Sequence, residues 1–97
     1  MQIRIAVDGG DCLGTIYHNG KAMVMMIDSV EVDEARRHTS IGTALMAEVV
    51  SVAFDHDVDS VELLVNADNV AAKSLYRKAG FTPTGKEHMR LILRHFA

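Results

Sequence analysis

Two turn signatures divide the first third of the chain and leave it little choice of fold. Asp8-Gly9-Gly10-Asp11 and His18-Asn19-Gly20-Lys21 each join glycine to residues that hydrogen-bond their own tight turns. Before the first turn, Ile3, Ile5 and Val7 alternate with other residues, which is the period of a half-buried strand over residues 2–7. Between the turns, residues 12–18 read as a second strand. After them, AMVMMIDSVEV at residues 22–32 reads as a long third strand. Tight turns place consecutive strands side by side and antiparallel, so the three form a meander.

The period then changes. Ile41, Ala44, Leu45, Val49, Val52 and Ala53 recur at helical spacing, predicting a helix over residues 41–54. Asp55-His56-Asp57-Val58-Asp59 follows as its solvated end. Residues 61–65, VELLV, read as a fourth strand with Glu62 as a surface charge. A strand-helix-strand passage favours parallel pairing of the third and fourth strands. A second helix is expected over residues 69–79, with Asp68 as its N-cap and Ala72, Leu75, Tyr76 and Ala79 on one face. Gly80 ends that helix, and Phe81 packs back over its last turn. A stub of strand is expected at residues 81–84. A last strand over residues 88–96 alternates Met89, Leu91 and Leu93 against Arg90, Ile92 and Arg94. The class is α+β and the order βββαβαβ: a mixed sheet of antiparallel hairpins and one parallel pair, flanked by two helices, in a single domain of 97 residues.

A hydrophobic share of 48% can fill one core. A net charge of −3 argues against a nucleic-acid binder that relies on bulk positive charge. The single cysteine, Cys12, sits between Gly10 and Gly14 and reads as a small strand filler. It has no internal partner for a disulfide, so a reducing cytoplasm is the default. No apolar run approaches the ~20 residues of a membrane span. The five histidines, His18, His38, His56, His88 and His95, lack metal-ligand spacing, so no metal is expected.

Between the third strand and the first helix lies RRHTSIGTAL, residues 36–45. A helix start leaves its first N–H groups without intrahelical partners and carries a partial positive charge. Small residues let an anion approach those groups, and Arg37 adds a charged contact. On this segment alone, a capped helix start with Thr39 or Ser40 as the cap and solvated arginines explains the same residues.

Two motifs together shift the balance between these readings. Val30-Glu31-Val32 is followed, four residues on, by Arg37-His38-Thr39-Ser40-Ile41-Gly42 at the helix start. Further on stands Asn69-Val70-Ala71-Ala72-Lys73-Ser74-Leu75-Tyr76-Arg77-Lys78-Ala79-Gly80-Phe81. The first resembles the (Arg/Gln)-x-x-Gly-x-(Gly/Ala) motif of the GNAT superfamily of acyl-CoA-dependent N-acetyltransferases. The second resembles that family's Asn-x-x-Ala-x-x-Leu-Tyr-x-x-x-Gly-Phe motif at every fixed position. The resemblance spans about residues 13–96.

That resemblance implies acetyl-CoA as co-substrate, with its pyrophosphate on the backbone N–H groups of His38, Thr39, Ser40, Ile41, Gly42 and Thr43 and near Arg37. Its pantetheine arm would pair with the backbone of Val30 and Val32, between splayed third and fourth strands. Asn69 matches a family residue that contacts the cofactor. Tyr76 matches the tyrosine that protonates the departing thiolate. A backbone N–H near Ser29 to Glu31 would steady the oxyanion. The acceptor is a primary amine, in this reading a protein lysine or N-terminus. A lysine of pKa near 10.4 needs on the order of 4–5 kcal/mol to lose its proton at pH 7, so a base is required. Asp28, two residues before Val30 on an alternating strand, is expected to share its face and to be desolvated among apolar neighbours. Glu31 is expected on the other face.

Two departures stand out. Ser40 occupies the motif's first glycine position. The chain also begins directly at the hairpin, whereas family members begin with a strand and two helices that wall the acceptor pocket. The acceptor site is then open, or completed by a second copy of the chain or by the substrate. These departures motivate the alternative of a CoA-binding regulatory module without turnover.

Overall fold

The computed structural model describes residues 1–33, 40–85 and 87–93. Strands β1 (Gln2–Val7), β2 (Gly10–His18) and β3 (Met23–Val32) form the expected meander, with the first turn closed by Gly9 at φ 89°. Helix α1 (Ile41–Asp55) crosses over to β4 (Ser60–Leu64), and helix α2 (Val70–Lys78) leads to β5 (Thr82–Pro83) and β6 (His88–Ile92). The sheet order is β1-β2-β3-β4-β6-β5, with β3 and β4 parallel and every other pair antiparallel.

Register puts Ile5, Cys12, Ile16, Met25, Val61, Leu63 and Met89 on one face of the sheet, and both helices cover that face. Apolar area removed from water there is the main stabilising term. From α1, Ile41, Leu45, Met46, Val49 and Ala53 are buried against it. Ala44, expected on the buried stripe, is exposed, and Met46 takes its place because the stripe turns slightly along the helix. Phe81 does fold back over α2: its ring meets Tyr76 edge-on, centroids 6.0 Å apart. Leu13, Met26, Leu64 and Ile92 lie on the opposite face, outside the core, and Leu64 is 69% exposed.

Three local readings are corrected. Asn69, not Asp68, caps α2: its side chain accepts from Ala72 N at 3.1 Å, so the helix starts one residue later than the acid would place it. Glu62 is not a surface charge. It is 5% exposed, accepting from Arg90 Nη2 at 3.0 Å and standing 2.7 Å from His88 Nε2. Asp59 is likewise buried at the end of the DHDVD run, where its carboxylate accepts from Met23 N at 2.8 Å and clamps the start of β3. No helix among the described residues is long and apolar enough to cross a membrane.

Candidate active site

The parallel β3–β4 ladder stops at Ile27↔Leu63, while β3 itself runs on to Val32. On its other side β4 stays paired with β6 to Leu64↔His88, and Val65 N donates to Glu87 O at 2.7 Å. The two strands therefore part at one end only. A β-bulge drives the parting. Asp28 pairs with Leu13, yet Glu31 pairs with Asp11, so β3 carries one residue more than β2 across that step. Ser29 sits at φ 53° within it, a left-handed conformation unusual for a serine.

The gap opens into a cavity of about 520 Å³. Met26, Ile27, Asp28, Ser29 and Val30 line it from β3, and Leu63, Leu64, Val65 and Asn66 from the end of β4. Asn69, Ala72 and Tyr76 of the α2 segment and Glu87 before β6 complete it. The structure thus brings Asp28, Val30, Asn69 and Tyr76 to one place. Val32 lies elsewhere, in a smaller cavity of about 350 Å³ at the β1–β2 turn, where Arg4 and Asp11 already neutralise each other at 2.6 Å.

The bulge also corrects the facing of Asp28. An extra residue breaks the period of two, so Asp28 falls on the open face with Glu31, while Val30 packs toward the core on the helix face. The carboxylate of Asp28 is exposed, and the desolvation expected for it is absent. Asp28 reaches the cavity from the open side.

Among the described residues, the first helical hydrogen bond of α1 runs from Ala44 N to Ser40 O, which leaves the N–H groups of Ile41, Gly42 and Thr43 ahead of the ladder. Ser40 makes no side-chain capping bond, and no acid stands in the first turn. Those amides, together with the β3 edge that among the described residues has no β4 partner beyond Ile27, can hold an elongated ligand with an anionic end and amide groups along its arm. Ser40 has φ 65°, the left-handed conformation that glycine adopts freely, so the motif's glycine position keeps a glycine's backbone. The side chain of Ile41 is buried against the sheet, leaving only its backbone for a ligand. Gly42 faces α2: a Cβ there would stand 2.8 Å from Leu75 Cδ2. Arg37, His38 and Thr39 lie outside the described residues.

Tyr76 is 7% exposed, and burial, with a smaller contribution from Cys12, pushes its phenol above the usual tyrosine value. It is a protonated hydroxyl at neutral pH, as a proton donor must be. Cys12 is buried as a strand filler. Burial, then Asp11 and Asp28, push its thiol up to about 11, so it stays neutral and unreactive. Glu87 was not legible as a site residue, because only the β4–β6 pairing carries it from a loop to the cavity wall.

A mixed sheet splayed between parallel strands, with a helix start following one strand and a tyrosine of the next helix in the cleft, defines an α+β fold with its cleft at the splay. The acetyltransferase (GNAT) family model matches residues 2–81, and the chain belongs to that family. Among solved structures, Ard1 from Thermoplasma volcanium is similar over 90% of this chain and 64% of its own, at 28% identity and a TM-score of 0.76. The NatC complex bound to Gag peptide and CoA is similar over 88% and 61%, at 18% identity and a TM-score of 0.80. Ribosomal-protein-alanine N-acetyltransferase from Brucella melitensis is similar over 88% and 62%, at 22% identity and a TM-score of 0.75. The chain therefore spans about three fifths of the length of these structures. No curated protein matches it by sequence.

Proposed function

We propose that this chain is an N-acetyltransferase domain that transfers an acetyl group from acetyl-CoA directly to a primary amine of a protein or peptide, at a lysine or an N-terminus. One observation carries the reading: the β3–β4 splay gathers an open backbone edge, the protonated Tyr76 and the carboxylate of Asp28 around one cavity. The amides of Ile41, Gly42 and Thr43 hold the diphosphate, and the free β3 edge at Val30 holds the amide-bearing arm. Asp28 takes the proton of the incoming ammonium. The amine nitrogen then bonds to the acetyl carbon as the carbon–sulfur bond breaks; Tyr76 gives its proton to the leaving sulfur, and the nitrogen gives up its second proton, which restores the Tyr76 phenol. A neutral thiol and an amide result. The open sheet face beside the cavity, with Leu64 69% and Ile92 48% exposed, favours a large acceptor over an enclosed one. The NatC structure, which holds a peptide and CoA on a similar fold, supports the same class of acceptor. A reducing cytoplasm is the proposed location, since the lone Cys12 is buried.

The test is thiol release from acetyl-CoA with a panel of amines and lysine peptides. Turnover on any amine supports transfer. Stabilisation by CoA, about 2.7 kcal/mol at 100 times its dissociation constant, without turnover on any acceptor would leave a CoA-binding module instead.

A further inference from the structure

None of Glu62, His88 and Thr84 lines the splay cavity, and the transfer reaction does not use them, yet the uncovered face of the sheet holds the three in a row. Glu62 Oε1 on β4 stands 2.7 Å from His88 Nε2 on β6, and the other ring nitrogen of His88, Nδ1, meets the hydroxyl of Thr84 just after β5. Thr84 N donates to His88 O at 2.9 Å, so the hairpin itself fixes the hydroxyl beside the ring. Glu62 is 5% exposed. A carboxylate only accepts, so Nε2 of the neutral imidazole carries the ring proton toward it. Nδ1 is left with a lone pair that accepts from the Thr84 hydroxyl. The hydroxyl's other acceptor, His88 O, lies 3.5 Å away, farther than Nδ1. Arg90 Nη2 donates to the same Glu62 oxygen at 3.0 Å and offsets its charge in the buried site, so Glu62 orients the ring rather than taking its proton.

A hydroxyl paired to an imidazole that a third group orients is the arrangement of an activated nucleophile. Closing the hairpin needs only the backbone bond, so the turn does not require the hydroxyl–imidazole pair. Thr84 is exposed, and a Cβ built on the neighbouring Gly85 would meet nothing within 4 Å, so a small ligand reaches the hydroxyl unobstructed. We propose that Thr84 is a nucleophilic site, separate from the transfer cleft, that takes the acyl group of a small carboxylic ester. Thr84 Oγ1 bonds to the acyl carbon while its proton passes to His88 Nδ1. The bond from that carbon to the leaving oxygen breaks, and the leaving oxygen takes the proton, giving an alcohol and an O-acyl threonine. Water then adds to the same carbon and gives a proton to Nδ1. The bond to Thr84 Oγ1 breaks and Oγ1 recovers that proton, releasing the carboxylic acid. No residue of the acetyltransferase reading takes part, so the inference stands apart from it.

The test is p-nitrophenyl acetate with the whole chain at neutral pH and no CoA. Nitrophenol should be released faster than by the same concentration of free imidazole, and mass spectrometry of acid-quenched, digested samples should find an acetyl group on Thr84. Thr84→Val should remove that adduct and return release to the imidazole level, with thermal unfolding retained. His88→Gln, which leaves Glu62 its Arg90 partner, should slow release by about a hundredfold, the loss expected when a positioned base is removed. Should His88→Gln unfold, Thr84→Val decides alone. Release unchanged in Thr84→Val, acetyl groups on other residues but none on Thr84, or no release above that of imidazole overturns the proposal and leaves the acetyltransferase reading intact.

Discussion

Gly42 and Leu75 meet where α1 leaves the sheet, with room between them for a hydrogen and not for a methyl: a Cβ on Gly42 would lie 2.8 Å from Leu75 Cδ2. A glycine that reads in the sequence as space for a phosphate is thus also the contact that seats one helix on the other. Gly42→Ala should lower unfolding free energy by about 1–3 kcal/mol through overpacking, measured by denaturant titration. Leu75→Ala in the same chain should return part of that loss, giving a coupling of about 1 kcal/mol in a double-mutant cycle. Strictly additive effects would show that the two side chains do not share that space. A bulkier change such as Gly42→Glu therefore tests packing and ligand binding together.

Ser40 holds φ 65° without a capping bond to compensate. Ser40→Gly should relieve about 1 kcal/mol of left-handed strain and raise the melting temperature. It should also leave the Ile41 and Gly42 amides more open to a diphosphate, so CoA affinity should rise or hold. A lower melting temperature would show that the serine hydroxyl contributes more than its backbone conformation costs.

Tyr76 lines the cavity as a neutral phenol. Tyr76→Phe keeps the ring against Phe81 and removes only the hydroxyl. Acetyl transfer should slow by about tenfold or more, with CoA affinity changed by less than about twofold. Parallel loss of both would make the hydroxyl a binding group rather than a proton donor.

The buried thiol of Cys12 gives the fold an alkaline limit. Its value rises from 9.0 to about 11 on folding, so between those values the folded chain keeps a proton that the unfolded chain loses. Its contribution is complete below pH 9 and is lost as pH climbs toward 11. Tyr76, raised for the same reason, adds to the loss above its ordinary value of 10.0. Unfolding free energy should fall across that window, and Cys12→Ala should flatten the fall whatever it does to stability at pH 7. An unchanged slope would show that Cys12 does not titrate with unfolding.

Most of the fold is legible in the chain because its signals are local. DGGD and HNGK turn the meander, alternation at Ile3, Ile5 and Val7 sets the buried face, and Gly80 ends α2 at φ 103°. What escapes is set by partners distant in sequence. Glu62 looks solvated until β6 brings Arg90 and His88 beside it. Glu87 becomes part of the cavity only through the same pairing. The bulge escapes for another reason: Ser29 is an ordinary strand residue by composition, and nothing in IDSVEV marks an extra residue before the register of β2 is known. Asn69 and Tyr76 were legible through the resemblance of their motif to the family's, and helix spacing then brings them to one stretch of wall.

Ser29 makes the cleft sensitive to parity. Removing the extra residue, Ser29, would restore simple alternation, keep Val30 on the core side and Asp28 and Glu31 on the open side, and let β3 run alongside β4 past Leu63. Removing two would leave Asp28 next to Glu31 and send the later side chains of β3 to the other face. Insertions and deletions in this short stretch therefore act by their evenness, and a domain built this way can lose its cleft without losing its core.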